Sequence, residues 1–72
     1  MTFTVELDRE TDGRWIASIR ELPGVHVYGG SSDEALAKAQ ALAFEVLADE
    51  IAHGERDPKS LMNVTFVAAA AA

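Results

Sequence analysis

Residues 29–54 read GGSSDEALAKAQALAFEVLADEIAHG, and this stretch decides the fold. Ser31 stands three residues before Glu34, the spacing of a capping box. In that motif the hydroxyl accepts from a free helical N–H, and the carboxylate reaches back to a second one. Asp33 and Glu34 also suit the positive end of a helix dipole. Leu36, Ala39, Ala43, Val46, Leu47 and Ile51 then recur at helical spacing, and Leu42 widens the stripe. Lys38, Glu45 and Asp49 fall mostly on the opposite, wet side. The pattern predicts one helix running to about His53, with Gly54 as its C-terminal stop. A helix with one apolar stripe needs one surface to bury it.

The residues on either side supply that surface. Residues 2–8, TFTVELD, alternate Phe3, Val5 and Leu7 with polar neighbours, the period of a half-buried strand. Asp12-Gly13 signals positive φ in the hairpin loop that follows. Residues 14–20, RWIASIR, predict a second strand, with Trp15, Ala17 and Ile19 on one face and Ile16 and Ser18 on the other. Leu22-Pro23-Gly24 breaks it in a type II turn, because Pro presets φ and Gly accepts the left-handed position. Residues 25–28, VHVY, predict a short third strand that Gly29-Gly30 ends. Downstream, residues 55–59 form a polar loop with Pro58. Residues 60–67, SLMNVTFV, predict a last strand with Met62, Val64 and Phe66 inward. The five alanines 68–72 read as a tail that carries no packing information and frays.

The order is therefore β-β-β-α-β. It predicts a single two-layer α+β domain over residues 2–67, with the helix on one face of the sheet. A three-stranded meander followed by a crossover helix makes the last strand parallel to the first, and placing the two side by side gives the order 3-2-1-4.

Composition limits what such a domain can do. The 72 residues include 12 acidic and 6 basic side chains, for a net charge of −6. That balance repels phosphate, so direct DNA or RNA binding is not expected, and a basic protein partner fits better. Alanine supplies 13 of the 35 apolar residues, which leaves 22 larger ones. A chain of this length buries only about 60–65% of its unfolded surface. Small cores of this kind are completed by disulfides, metals or self-association. There is no cysteine, and two histidines alone make no metal site. Self-association, as a dimer or higher homo-oligomer, is the remaining expectation. No apolar run is long enough for a membrane span, and no signal peptide is visible, so the expected compartment is the cytoplasm.

No catalytic, metal or cofactor site is expected. The element order matches the opening half of the ribonuclease H fold, whose two-metal sites need acids on the first strand, the helix and the fourth strand. Asp8 and Glu34 stand at the first two places as a turn acid and a helix cap, and SLMNVTFV has no acid at all. His53 reads as a helix-end residue, and His26 as a solvent-facing strand residue. Gly29-Gly30 lacks the Lys and spacing of a phosphate loop. Trp15 shares the parity of the inner face, yet Trp is also a frequent interaction anchor. By the same parity Thr4, Glu6, Ile16, Ser18, His26, Tyr28, Thr65 and Val67 lie on the face away from the helix. Glu6, Ile16, Ser18, His26 and Tyr28 are the candidate partner contacts on that open face. The short third strand, at the sheet edge, offers strand addition as a second route.

The string FTVELDRETDGRWIASIRELPGVHVYGGSSDEALAKAQ resembles the N-terminal domain of the HicB antitoxin family. The shared features are alternating Val5 and Leu7, Asp12-Gly13, Trp15 with Ala17, and Leu22-Pro23-Gly24. Gly29 or Gly30, the Ser31 cap and Glu34-Ala35-Leu36 complete the pattern, which spans roughly residues 3–52. The resemblance implies a non-catalytic antitoxin that neutralises a small basic HicA-type toxin, a protein that cleaves messenger RNA using a His. Longer members add a C-terminal DNA-binding domain. None is visible after the last strand, so operator binding by this chain is not expected. The alternative is a self-associating stand-alone domain of this type with no toxin partner.

Overall fold

The computed structural model describes residues 1–70. The elements follow as β1 (Thr2–Arg9), β2 (Trp15–Ile19), β3 (His26–Gly29), α1 (Ser32–Ala52), a 3-10 helix (Pro58–Met62) and β4 (Thr65–Ala70). The sheet runs β3-β2-β1-β4. β2 is antiparallel to β1 and to β3, and β4 is parallel to β1. With α1 packed across β1, β2 and β3, this is the two-layer α+β arrangement that the sequence predicts.

Both hairpin connections use the expected residues. Glu10 and Arg14 close the first loop, where the N–H of Glu10 donates to the carbonyl of Arg14 at 2.7 Å. Gly13 takes a φ of 93°, so the left-handed position falls on the glycine and Asp12 is spared it. In the second, Val25 N–H donates to the Leu22 carbonyl at 3.1 Å and Gly24 has a φ of 97°, as a Pro-Gly type II turn requires. Leu22 and Val25 are both buried there, so this loop contributes to the core.

α1 begins as the capping box predicts, with one shift. Glu34 N–H donates to Ser31 Oγ at 3.1 Å. The returning Glu34 carboxylate accepts from Gly30 N–H at 3.2 Å, one residue earlier than the standard motif. The helix ends at the His53 cap, where Gly54 N–H reaches the Ile51 carbonyl and Glu55 N–H the Glu50 carbonyl. Those two bonds are a Schellman closure. Replacing Ser31 with Ala removes the oxygen that satisfies a free helical N–H. Its expected cost is about 1 kcal/mol, read from the urea midpoint.

The core is small and built around a close approach. Phe3, Val5, Ala17, Ile19, Leu22 and Val25 face Ala35, Ala39, Ala43 and Leu47, all buried. The helical members stand four residues apart, and three are alanines, so the helix backbone comes close to the sheet. Gly29 sets the closest point: a Cβ there would lie 2.5 Å from the backbone nitrogen of Ala35. Leu7, Trp15, Val27, Leu36, Leu42, Val46, Val64 and Phe66 pack around this centre, partly buried.

The C-terminal segment departs from the sequence reading. The last strand does not start at residue 60. Asp57 Oδ1 accepts from Lys59 N–H at 2.9 Å, and Pro58 follows as a first helical residue, which starts the 3-10 helix instead. Met62, expected inside, is 79% exposed, whereas Val64 and Phe66 do pack against the core. The strand also continues past residue 67. Val5, Glu6 and Leu7 of β1 pair with Ala68, Ala69 and Ala70, so these alanines belong to the sheet. Alanine has little strand preference of its own, and here the free outer side of β1 overrides it. Ala71 and Ala72 of the expected tail lie outside the described residues.

Candidate interaction face

The sheet face opposite α1 carries no covering element among the described residues. Register places its side chains in rows across the strands. Glu6 pairs with Ser18, and Ser18 with His26. Asp8 pairs with Ile16, and Ile16 with Tyr28. Thr4 pairs with Val67 and Glu6 with Ala69, which extends the same face onto β4. Thus Glu6, Ile16, Ser18, His26 and Tyr28, the five residues singled out from parity alone, form one contiguous patch over β1, β2 and β3.

Local contacts hold this patch. Ser18 Oγ and His26 Nδ1 share a hydrogen bond of 2.8 Å. The His26 ring meets Tyr28 edge-on, with centroids 5.7 Å apart. Arg14 stacks its guanidinium 4.6 Å from the Tyr28 ring centre and pairs with Asp12 at 2.8 Å. Arg20 pairs with Glu6 at 2.9 Å. The result is an aromatic and aliphatic centre, Ile16 and Tyr28, between two arginine–carboxylate pairs. Tyr28 is 41% exposed, so its ring is available and already oriented. Arg14 lies before β2, and no period in the sequence points to its place over Tyr28.

Beside the patch, Glu21 replaces a strand partner. β2 ends at Ile19, and although Arg20 N–H still donates to the Thr4 carbonyl at 3.1 Å, the Thr4 N–H takes a side-chain acceptor instead. The Glu21 carboxylate accepts from Thr4 N–H at 2.7 Å and from Thr4 Oγ1 at 3.0 Å. The bond from Thr4 N–H is the main reason that the Glu21 carboxyl lies below the usual range. Glu34 is lowered chiefly by the Gly30 N–H and then by Lys38, and Asp12 chiefly by the Arg14 N–H. Carboxylates lowered in the fold stabilise it fully above their unfolded values near 4 and stop doing so as pH falls through the lower folded values. The melting temperature should therefore drop below about pH 4, and Glu21→Gln should flatten that drop.

The excess negative charge lies mostly elsewhere. α1 carries Asp33, Glu34, Glu45, Asp49 and Glu50 against Lys38 alone, so four of the six net charges belong to the helix. Of the two histidines, His53 caps α1, with Nδ1 2.8 Å from the Asp49 carbonyl oxygen, and His26 faces solvent. Asp8 lies within β1 and accepts from Arg9 N–H at 2.9 Å, so it is a strand residue and not a turn acid. Glu34 is the helix cap that its position predicts. Trp15 lies at the helix-side rim, partly buried, where it lines a shallow apolar groove of about 270 Å³ with Leu7, Ser32, Ala68 and Ala69. Among the described residues no cluster of His, Asp and Glu could hold a metal ion, and no helix is long and apolar enough to cross a membrane.

No protein-family model matches the chain, and no curated protein or solved structure matches it either.

Proposed function

We propose that this chain is a non-catalytic antitoxin-like protein of the HicB type, acting in the cytoplasm by binding and neutralising a small basic RNA-cleaving toxin. The observation that carries the reading is the uncovered sheet face, where Ile16 and Tyr28 stand in register beside Glu6, Ser18 and His26. Aromatic residues held rigid by neighbours are favoured at binding hot spots because little side-chain entropy is lost on contact. The resemblance of residues 3–52 to HicB N-terminal domains supports the same reading.

Charge supports it as well. The carboxylates of α1 set up a long-range field that attracts a basic partner, and the paired charges around Tyr28 orient it on arrival. Toxin surfaces that hold RNA are basic, so the same field that repels RNA from this chain draws its enzyme.

Co-expression with any small basic protein found encoded beside this chain tests the proposal. The expected result is a complex that survives purification, relieves growth arrest by the toxin and weakens as salt rises. Combining Ile16→Ala with Tyr28→Ala should weaken it at least about 30-fold, the loss typical of two hot-spot residues. The absence of any complex with an encoded neighbour would reject the reading.

A further inference from the structure

We propose that β4 is the seam of a symmetric dimer, in which it pairs antiparallel with β4 of a second copy and joins two four-stranded sheets into one of eight. This inference rests on the sheet edges and is independent of any toxin.

The two edges of the sheet differ in kind. β3 has four residues, and Lys38 Nζ donates to its Tyr28 carbonyl at 3.3 Å. A short edge with a lysine laid on it is blunted against further pairing. β4 has six residues, TFVAAA, with no charge, proline or glycine to interrupt it. Such an edge turns unpaired N–H and C=O groups to solvent and templates another strand.

Large apolar side chains line the same edge. Phe44 of α1 is 46% exposed and meets Phe66 of β4 edge-on at 5.6 Å. On the opposite sheet face Val67 is 48% exposed, and Leu61 and Met62 are exposed just before the strand. α1 covers β1, β2 and β3, so this corner is what the helix leaves open.

Charge selects the occupant. No side chain from 60 to 72 is charged, in a chain of net charge −6. A second acidic copy meets least repulsion at a neutral edge. Two-fold symmetry makes an antiparallel strand pair self-complementary. Directly opposed residues share a face, so the axis must pass through a residue such as Val67. Phe66 then stands opposite Ala68 of the second copy. A bulky ring against a small side chain leaves room for Phe44 above it. The small alanines thus have a role in the interface as well as in the pairing with β1.

Sedimentation equilibrium of the full chain at micromolar concentration tests the seam. The expected mass is twice the 7.7 kDa of one chain. Val67→Lys places a charge on the exposed edge and should sediment as a monomer with an unchanged circular dichroism spectrum. Thr65→Lys, at the exposed start of β4, repeats the test if V67K alters the spectrum. Tyr28→Lys, on the patch assigned to the toxin, should stay dimeric. A monomeric wild type overturns the proposal, and so does a dimer that survives both β4 variants or is lost in Tyr28→Lys. Failure here leaves toxin binding untouched, because that reading uses residues of β1, β2 and β3 and a different assay.

Discussion

Replacing Gly29 with Ala is expected to lower the unfolding free energy by about 2–3 kcal/mol, the upper part of the range for overpacking a filled core. For a domain of this size that is a fall in melting temperature of roughly 10–20 °C. The cause is a single atom. The added Cβ would stand 2.5 Å from Ala35 N and 3.0 Å from its Cα, both on the backbone of α1. A flexible side chain could swing away, but a helix backbone moves only with the whole helix. Lifting α1 would loosen Ala35, Ala39 and Ala43 along the same seam, all of which are fully buried. Gly30→Ala is the matched control. No atom lies within 4 Å of the Cβ it would add, so its effect should stay within about 0.5 kcal/mol. Thermal melts of the two variants separate close packing from the general cost of losing a glycine. Equal effects would show that the helix does not sit on Gly29.

Leu47→Ala is expected to cost about 3–4 kcal/mol, within the range for truncating a fully buried leucine. Leu47 and Val5 are the largest side chains with essentially no exposed surface. The three other buried residues on α1 are alanines, so Leu47 is the one large side chain that the helix buries completely. Natural domains hold as little as about 5 kcal/mol in total, and a chain this short belongs near that limit. About 1–2 kcal/mol should then remain, so the variant should show a much lower urea midpoint and a measurable unfolded fraction at 37 °C by circular dichroism. Met62→Ala, at a site 79% exposed, should change stability by less than about 0.5 kcal/mol. A Leu47→Ala variant as stable as Met62→Ala would contradict the assignment of the core.

The element order was readable because each element carries a local signal. Phe3, Val5 and Leu7 alternate, Ser31 and Glu34 cap, Gly13, Gly24 and Gly54 sit at positive φ, and each acts within a few residues of chain. The sheet order followed from those elements and from chain direction. What the sequence hides depends on partners distant in the chain. A run of alanines has no alternation, so nothing local marks residues 68–70 as a strand, and only the unpaired side of β1 recruits them. Gly29 looked like a terminator, yet its function is the approach of a helix that starts three residues later. The 3-10 helix could have been suspected from Asp57-Pro58, a cap followed by a first-turn proline. Ala35 was visible only as part of a motif, and its burial shows that the helix turns slightly more of its N-terminal side to the sheet than the Leu36 stripe suggests.

The candidate face was legible to the same extent. Parity alone brought Glu6, Ile16, Ser18, His26 and Tyr28 together, because a strand has only two faces. Parity does not report on Arg14, which reaches Tyr28 from the hairpin loop, or on Glu21, which fills the place that β2 vacates. Nor does total charge report where charge lies. The net value of −6 is concentrated on α1, across the sheet from the open face.

In the proposed function the open sheet face receives a basic protein. The decisive experiment titrates the isotope-labelled chain with any small basic protein found encoded beside it, while following backbone amide resonances. Shifts are expected at Glu6, Ile16, Ser18, His26 and Tyr28, with the amides of β4 and of the buried side of α1 unmoved. Absence of shifts, or shifts confined to α1 or β4 with the five residues unchanged, would contradict it.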